Sequence, residues 1–216
     1  KKKENKNSVK FENYYDKFMI ILLTFLILIL FVGKSSAIRY TPDFKDENSQ
    51  KINNSISSLE QIELGGIMQS IMIRGKSKDN PILLSLHGGP GNSEIAFIRN
   101  YQKELEKHFI VVNWDQRGSG LSYTSSIPKK SMNLDQFLKD THNLIVKLKH
   151  LFKKEKIYLM GHSWGSYIGL LTVNKYPDLF YAYIGISQVT DVKREDEMSY
   201  LQALQRAKEN KNIEAI

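Results

Sequence analysis

The sequence predicts an α/β domain built on a mainly parallel sheet with helices on both faces. Three observations predict it. From about residue 59, a hairpin pattern gives way to apolar and amphipathic runs in alternation, the order of parallel strands joined by helices. The apolar runs are short and continuous, as in strands buried on both sheet faces. Each glycine-rich stretch follows such a run, at the end where parallel sheets bind ligands.

Ahead of that domain, residues 1–17 hold six lysines and read as a basic cytoplasmic segment. Residues 18–33, FMIILLTFLILILFVG, carry no charge and one hydroxyl. As a helix they span about 24 Å, a little short of a ~30 Å hydrocarbon core. Snorkelling by Lys17 and Lys34 closes the gap. A globular helix is rarely apolar on every face for such a length. The expectation is a transmembrane anchor, N-terminus inside and domain extracytoplasmic, by the positive-inside rule. The alternative is a signal peptide cleaved near Ala37. Both readings export the domain. Residues 34–58 are polar and aperiodic, and read as a linker.

LEQIEL and IMQSIMIRG around Gly65-Gly66 predict a two-residue hairpin. PILLSL (81–86) and FIVVNW (109–114) predict buried strands, and EIAFIRNYQKELEKH between them predicts a helix. Residues 133–154 predict a second helix, amphipathic and capped by Asn133. A strand at KIYLM, a helix stopped by Pro177, the strand AYIGIS (182–187) and a final charged helix complete the pattern.

Composition excludes several classes. The chain has no cysteine, so disulfides and thiolate metal sites are ruled out. The net charge of +8 divides equally between residues 1–37 and the remaining 179, where acids and bases are interspersed. That is a solvated surface without a nucleic-acid stripe. No cofactor and no metal are expected.

Gly161-His162-Ser163-Trp164-Gly165 fits G-x-S-x-G, with a strand before it and a helix after, as a nucleophile elbow requires. Such a turn lifts the Ser163 hydroxyl above the sheet and turns the Trp164 N–H towards a nascent oxyanion. The bland alternative is a plain strand-to-helix turn. His87-Gly88-Gly89-Pro90-Gly91 ends another strand, and its glycine-rich backbone can offer the second oxyanion donor.

With HGGPG at 87–91, DQRGSGLS at 115–122 and GHSWGS at 161–166, the chain resembles the α/β-hydrolase superfamily, in its prolyl aminopeptidase (proline iminopeptidase) branch. The resemblance covers about residues 59–190. It implies Ser163 as nucleophile, Gly89 and Trp164 as oxyanion-hole amides, and a cis Gly89–Pro90 bond. It implies that Asp115 and Arg117 brace the pocket floor. Two positions depart from that branch, which commonly carries glycine at His162 and Asn92. GHSWG is the commoner form in esterases, lactonases and amidases. Aspartate-nucleophile relatives such as epoxide hydrolases are disfavoured by the serine at the elbow.

A serine nucleophile needs a histidine oriented by an acid, in the chain order serine, acid, histidine. No histidine follows Ser163 in this chain. His108, His142 and His150 read as solvated, His162 as packed and facing away from the nucleophile, and His87 as a structural hydrogen-bonder. The expectation is that the catalytic acid and histidine lie outside the chain, and that 191–216 begin a cap domain where the fragment stops. The expected function is a serine hydrolase acting on a small ester or amide or a short peptide, among them N-terminal prolyl peptides. The alternative is an inactive hydrolase-like binding or scaffold protein.

Overall fold

The computed structural model describes residues 14–29, 40–212 and 214, and the chain divides into two units, Lys1–Arg39 and Tyr40–Ile216. In the first unit, helix α1 (residues 14–29) exposes all its described side chains. Among the described residues no helix is long and apolar enough to cross a membrane. The expected span at 18–33 continues past residue 29 into positions outside the described residues. The cleavage site near Ala37 also lies outside them.

The second unit is built on a six-stranded sheet of order β1-β2-β4-β3-β5-β6. Strands β1 (Ile56–Leu64) and β2 (Ile67–Gly75) form the expected hairpin, with Leu64 opposite Ile67 across Gly65-Gly66. Strand β2 pairs antiparallel with β4 (Ile110–Trp114). The rest is parallel: β3 (Ile82–Leu86) lies between β4 and β5 (Ile157–His162), and β5 pairs with β6 (Phe180–Ile186). Among the described residues β6 has a neighbour on one side only. It exposes Tyr181, Ile184 and Ile186.

Side-chain alternation assigns the two faces. Ile71, Ile73, Leu84, Leu86, Val112 and Trp114 share the main core with Leu144, Ile145 and Leu148 of α3 (Leu134–Phe152) and Ile168 of α4 (Trp164–Lys175). Asn133 caps α3 by accepting a hydrogen bond from Gln136 N at 3.0 Å, as its sequence predicts.

The opposite face differs from expectation. No long helix covers it at 94–108. That segment holds only the short α2 (Ile95–Ile98) and a 3-10 turn at Leu105–Lys107. Its apolar residues do not share an inward face, since Phe97 and Tyr101 are exposed. Its polar residues turn inward instead. Gln102 Oε1 accepts from Asn113 Nδ2 at 2.8 Å, and Glu106 Oε1 accepts from Arg74 Nε at 2.8 Å. Buried polar groups of β2 and β4 must be satisfied, and that demand overrides the helical spacing.

The linker expected at 34–58 is corrected for the same reason. Residues from 40 onward pack on this domain, and β1 begins at Ile56. Arg74 Nη1 donates to Thr41 Oγ1 and to Pro42 O, both at 2.7 Å, and its guanidinium lies 4.5 Å from the centre of the Phe44 ring. A buried arginine recruits this polar stretch as its shell. At the other end, α5 (Val192–Glu209) forms as predicted and buries only Ala207.

Candidate active site

Ser163 sits between β5 and α4 with φ +50° and ψ −116°, a conformation that costs a non-glycine residue about 1–3 kcal/mol. The surroundings hold it there. Its N–H donates to Ile186 O at 2.9 Å, while its carbonyl accepts from Ser166 N at 2.8 Å and Tyr167 N at 3.2 Å. The turn also needs Gly165, where a Cβ would stand 2.1 Å from Leu86 O. The start of α4 is thus pressed against the end of β3, which brings the HGGPG loop to the elbow. Among the described residues Ser163 Oγ has no hydrogen-bond partner.

The HGGPG loop lies beside the serine, since a Cβ on Gly88 would stand 3.3 Å from Ser163 Cβ. Gly89 has φ +121°, which glycine alone adopts freely, and the Gly89–Pro90 bond is cis. Asn92 N donates to Gly88 O at 3.3 Å and closes the loop. Neither the Gly89 nor the Trp164 amide makes a hydrogen bond among the described residues. Trp164 is the first residue of α4, where an amide has no intrahelical acceptor. Both are therefore available to an oxyanion.

His87 is buried and structural. Gln116 N donates to its Nε2 at 3.1 Å, so Nε2 is an acceptor, and Nδ1 carries the proton given to Gly88 O at 2.8 Å. Ser119 Oγ also lies 3.0 Å from Nε2. Burial pushes the imidazole pKa down; the Gly88 carbonyl and the charges of Asp115 and Glu94 oppose that only in part. A protonated Nε2 would meet the Gln116 N–H donor to donor, which agrees with the neutral form.

Asp115 and Arg117 have separate partners. Asp115 accepts from Ser93 Oγ at 2.5 Å and Leu121 N at 2.7 Å, which ties the HGGPG loop to the following turn. Arg117 makes a bidentate pair with Asp140 of α3 and donates to the hairpin-turn carbonyls Leu64 O and Gly65 O.

Sequence reasoning missed two residues here. Gln116 links all three motifs: its N–H and Nε2 bond His87, and its Oε1 accepts from Trp164 Nε1 at 3.2 Å. Glu94 places Oε1 3.3 Å from His162 Nδ1 at the rim of the elbow. A buried amide and a lone, largely buried acid have no local signature. His162 itself is a correction: it is nearly half exposed rather than packed. His108 and His150 are exposed as expected, while His142 stacks on Tyr176 with ring centres 4.2 Å apart. Among the described residues no histidine bonds Ser163 Oγ, and no group of three acids or histidines could hold a metal ion.

A family model described as alpha/beta hydrolase fold matches residues 81–211. The chain belongs to the α/β-hydrolase fold family. It is 49% identical over 146 residues to the protein named Probable aminopeptidase YbaC of Bacillus subtilis, covering 68% of this chain and 46% of that protein. It is 34% identical over 107 residues to a proline iminopeptidase of Lactobacillus crispatus, covering 48% of this chain and 34% of the relative. The crystal structure of a proline iminopeptidase-related protein from Thermus thermophilus superposes with a TM-score of 0.51 at 25% identity, covering 60% of this chain and 44% of that one. The resemblance to the prolyl aminopeptidase branch stands. This α/β-hydrolase chain spans less than half the length of these curated relatives.

Proposed function

We propose that this α/β-hydrolase chain carries the nucleophile and oxyanion hole of a serine hydrolase that cleaves small esters or amides, N-terminal residues of short peptides among them. The observation that carries this reading is Ser163, strained at φ +50° with Gly88 of the HGGPG loop against it, and the Gly89 and Trp164 amides unbonded among the described residues. Ser163 Oγ attacks the substrate carbonyl, and the two N–H groups stabilise the tetrahedral oxyanion. The base takes the Oγ proton and delivers it to the leaving amine or alcohol. Water then attacks the acyl-serine and regenerates the hydroxyl.

The names of the relatives support an aminopeptidase, and Glu94 at the rim supplies a carboxylate suited to a substrate amine. His162 and Asn92, in place of the branch's glycines, favour a substrate range wider than N-terminal proline.

The test is to treat the intact protein with a fluorophosphonate probe and profile it with aminoacyl anilides and simple esters. Labelling and turnover should both vanish in Ser163→Ala, with a loss of several orders of magnitude in kcat/KM. Labelling that survives the substitution would overturn the assignment. An unreactive parent would favour the binding or scaffold alternative.

We further propose that residues 18–33 tether the domain outside the membrane, supported by the six preceding lysines and the uncharged run. Protease added to intact cells should remove the domain. Full protection would contradict export, whereas a soluble chain starting at Ile38 would favour the cleaved signal peptide.

A further inference from the structure

A cavity of about 440 Å³ lies on the face of the sheet opposite α3, bordered by Ser93 and Asp115. Leu59 of β1, Met72 of β2, Ile95 of α2 and Leu121 give it apolar walls. Its volume falls within the ~300–1,000 Å³ typical of small-molecule sites. Neither Ser163 nor any other elbow residue lines it.

Arg99, which ends α2, stands at its rim and is half-buried. Among the described residues its guanidinium has neither a hydrogen bond nor an ion pair. Arg99 also borders an adjoining cavity with Lys76 and Lys103. The two acids there are already engaged, Glu106 with Arg74 at 2.8 Å and Glu104 with Lys107 at 2.7 Å. Asp115, on the wall of the first cavity, is held by Ser93 and Leu121. Those donors are neutral and Asp115 keeps its charge, but among the described residues no carboxylate lining either cavity forms an ion pair with Arg99.

A partly desolvated guanidinium without an anion is unfavourable, and its planar fork matches a carboxylate through two parallel hydrogen bonds. Apolar walls meeting an unpaired arginine call for a ligand with one apolar body and one carboxylate. We propose that this cavity is a second binding site of the protein, separate from Ser163, for an apolar monocarboxylate held head-on by Arg99. A medium-chain fatty acid and the C-terminal carboxylate of an apolar residue share this chemistry.

The test is calorimetric titration of the intact Ser163→Ala protein, in which turnover does not interfere, with octanoate, N-acetylleucine and octanol. At least one carboxylate should bind saturably, and the better of the two identifies the source. Arg99→Gln should weaken that binding by tenfold or more, and Arg99→Lys by less. Octanol should bind weakly and equally in all three proteins. Thermal unfolding of both variants checks that the fold is kept. Absence of saturable binding by either carboxylate would overturn the proposal. So would an Arg99→Gln protein that folds and binds as tightly as its parent.

Discussion

Arg117 and Asp140 form a fully buried ion pair, with Nε 2.9 Å from Oδ2 and Nη2 3.2 Å from Oδ1. Asp140 also accepts from Gln69 Nε2 at 2.8 Å and Gln136 Nε2 at 2.7 Å, while Trp114 Nε1 donates to Gln69 Oε1 at 3.0 Å. One carboxylate thus joins the hairpin, β4, α3 and the loop after β4. Asp140→Ala would leave the buried Arg117 charge without its counter-ion, with only the neutral acceptors Leu64 O, Gly65 O and Ser131 Oγ, and would remove an acceptor from Gln69 and Gln136. The expected cost is about 3–5 kcal/mol, read from chemical denaturation of the intact protein. A loss below ~1 kcal/mol would mean that water or a neighbour replaces the carboxylate.

Gly165→Ala tests the contact between α4 and β3. The added methyl would fall 2.1 Å from Leu86 O and 2.7 Å from His87 O, both of them backbone atoms. Backbone cannot swing aside as a side chain can, so the loss should reach or exceed the ~1–3 kcal/mol typical of overpacking. The same shift should move the HGGPG loop and lower reactivity towards a fluorophosphonate probe. An alanine variant with unchanged melting and unchanged labelling would refute this account of the elbow.

The buried neutral His87 makes stability depend on pH. Its folded pKa lies below the ordinary value of 6.5, and desolvation is the main cause. Between the two values the unfolded chain binds the proton and the folded chain does not. Stability therefore falls as pH drops below about 6.5, by at most ~1.4 kcal/mol per unit, until the folded pKa is passed. His87→Gln should flatten this slope in urea titrations between pH 7 and 5. An identical slope in the variant would assign the dependence to other groups.

Asn133 offers a smaller, local test. Its Oδ1 accepts from Gln136 N at the start of α3. Replacing it with alanine should cost about 1 kcal/mol, and with glycine only a few tenths, measured as shifts in denaturation midpoint. An alanine loss no larger than a few tenths of a kcal/mol would show that the side-chain cap contributes little.

The order of strands and helices, the hairpin turn, the Asn133 cap and the elbow serine were all legible in the amino-acid sequence. Each rests on a pattern a few residues long: alternation, helical spacing, a capping side chain, or glycines around a serine between strand and helix. Tertiary structure decided whatever depends on a distant partner. EIAFIRNYQKELEKH has helical spacing, yet Asn113 and Arg74 draw Gln102 and Glu106 inward and limit the helix to Ile95–Ile98. Residues 40–55 look like a linker until the buried Arg74 is found using Thr41 and Pro42 as acceptors. Asp115 and Arg117 are neighbours in one motif, but one closes the Ser93 loop and the other crosses to α3. Gln116 has no signature of its own and still ties His87 to Trp164. The physical reason is common to all four: a polar group removed from water must find a partner, and its chain position does not say where that partner lies.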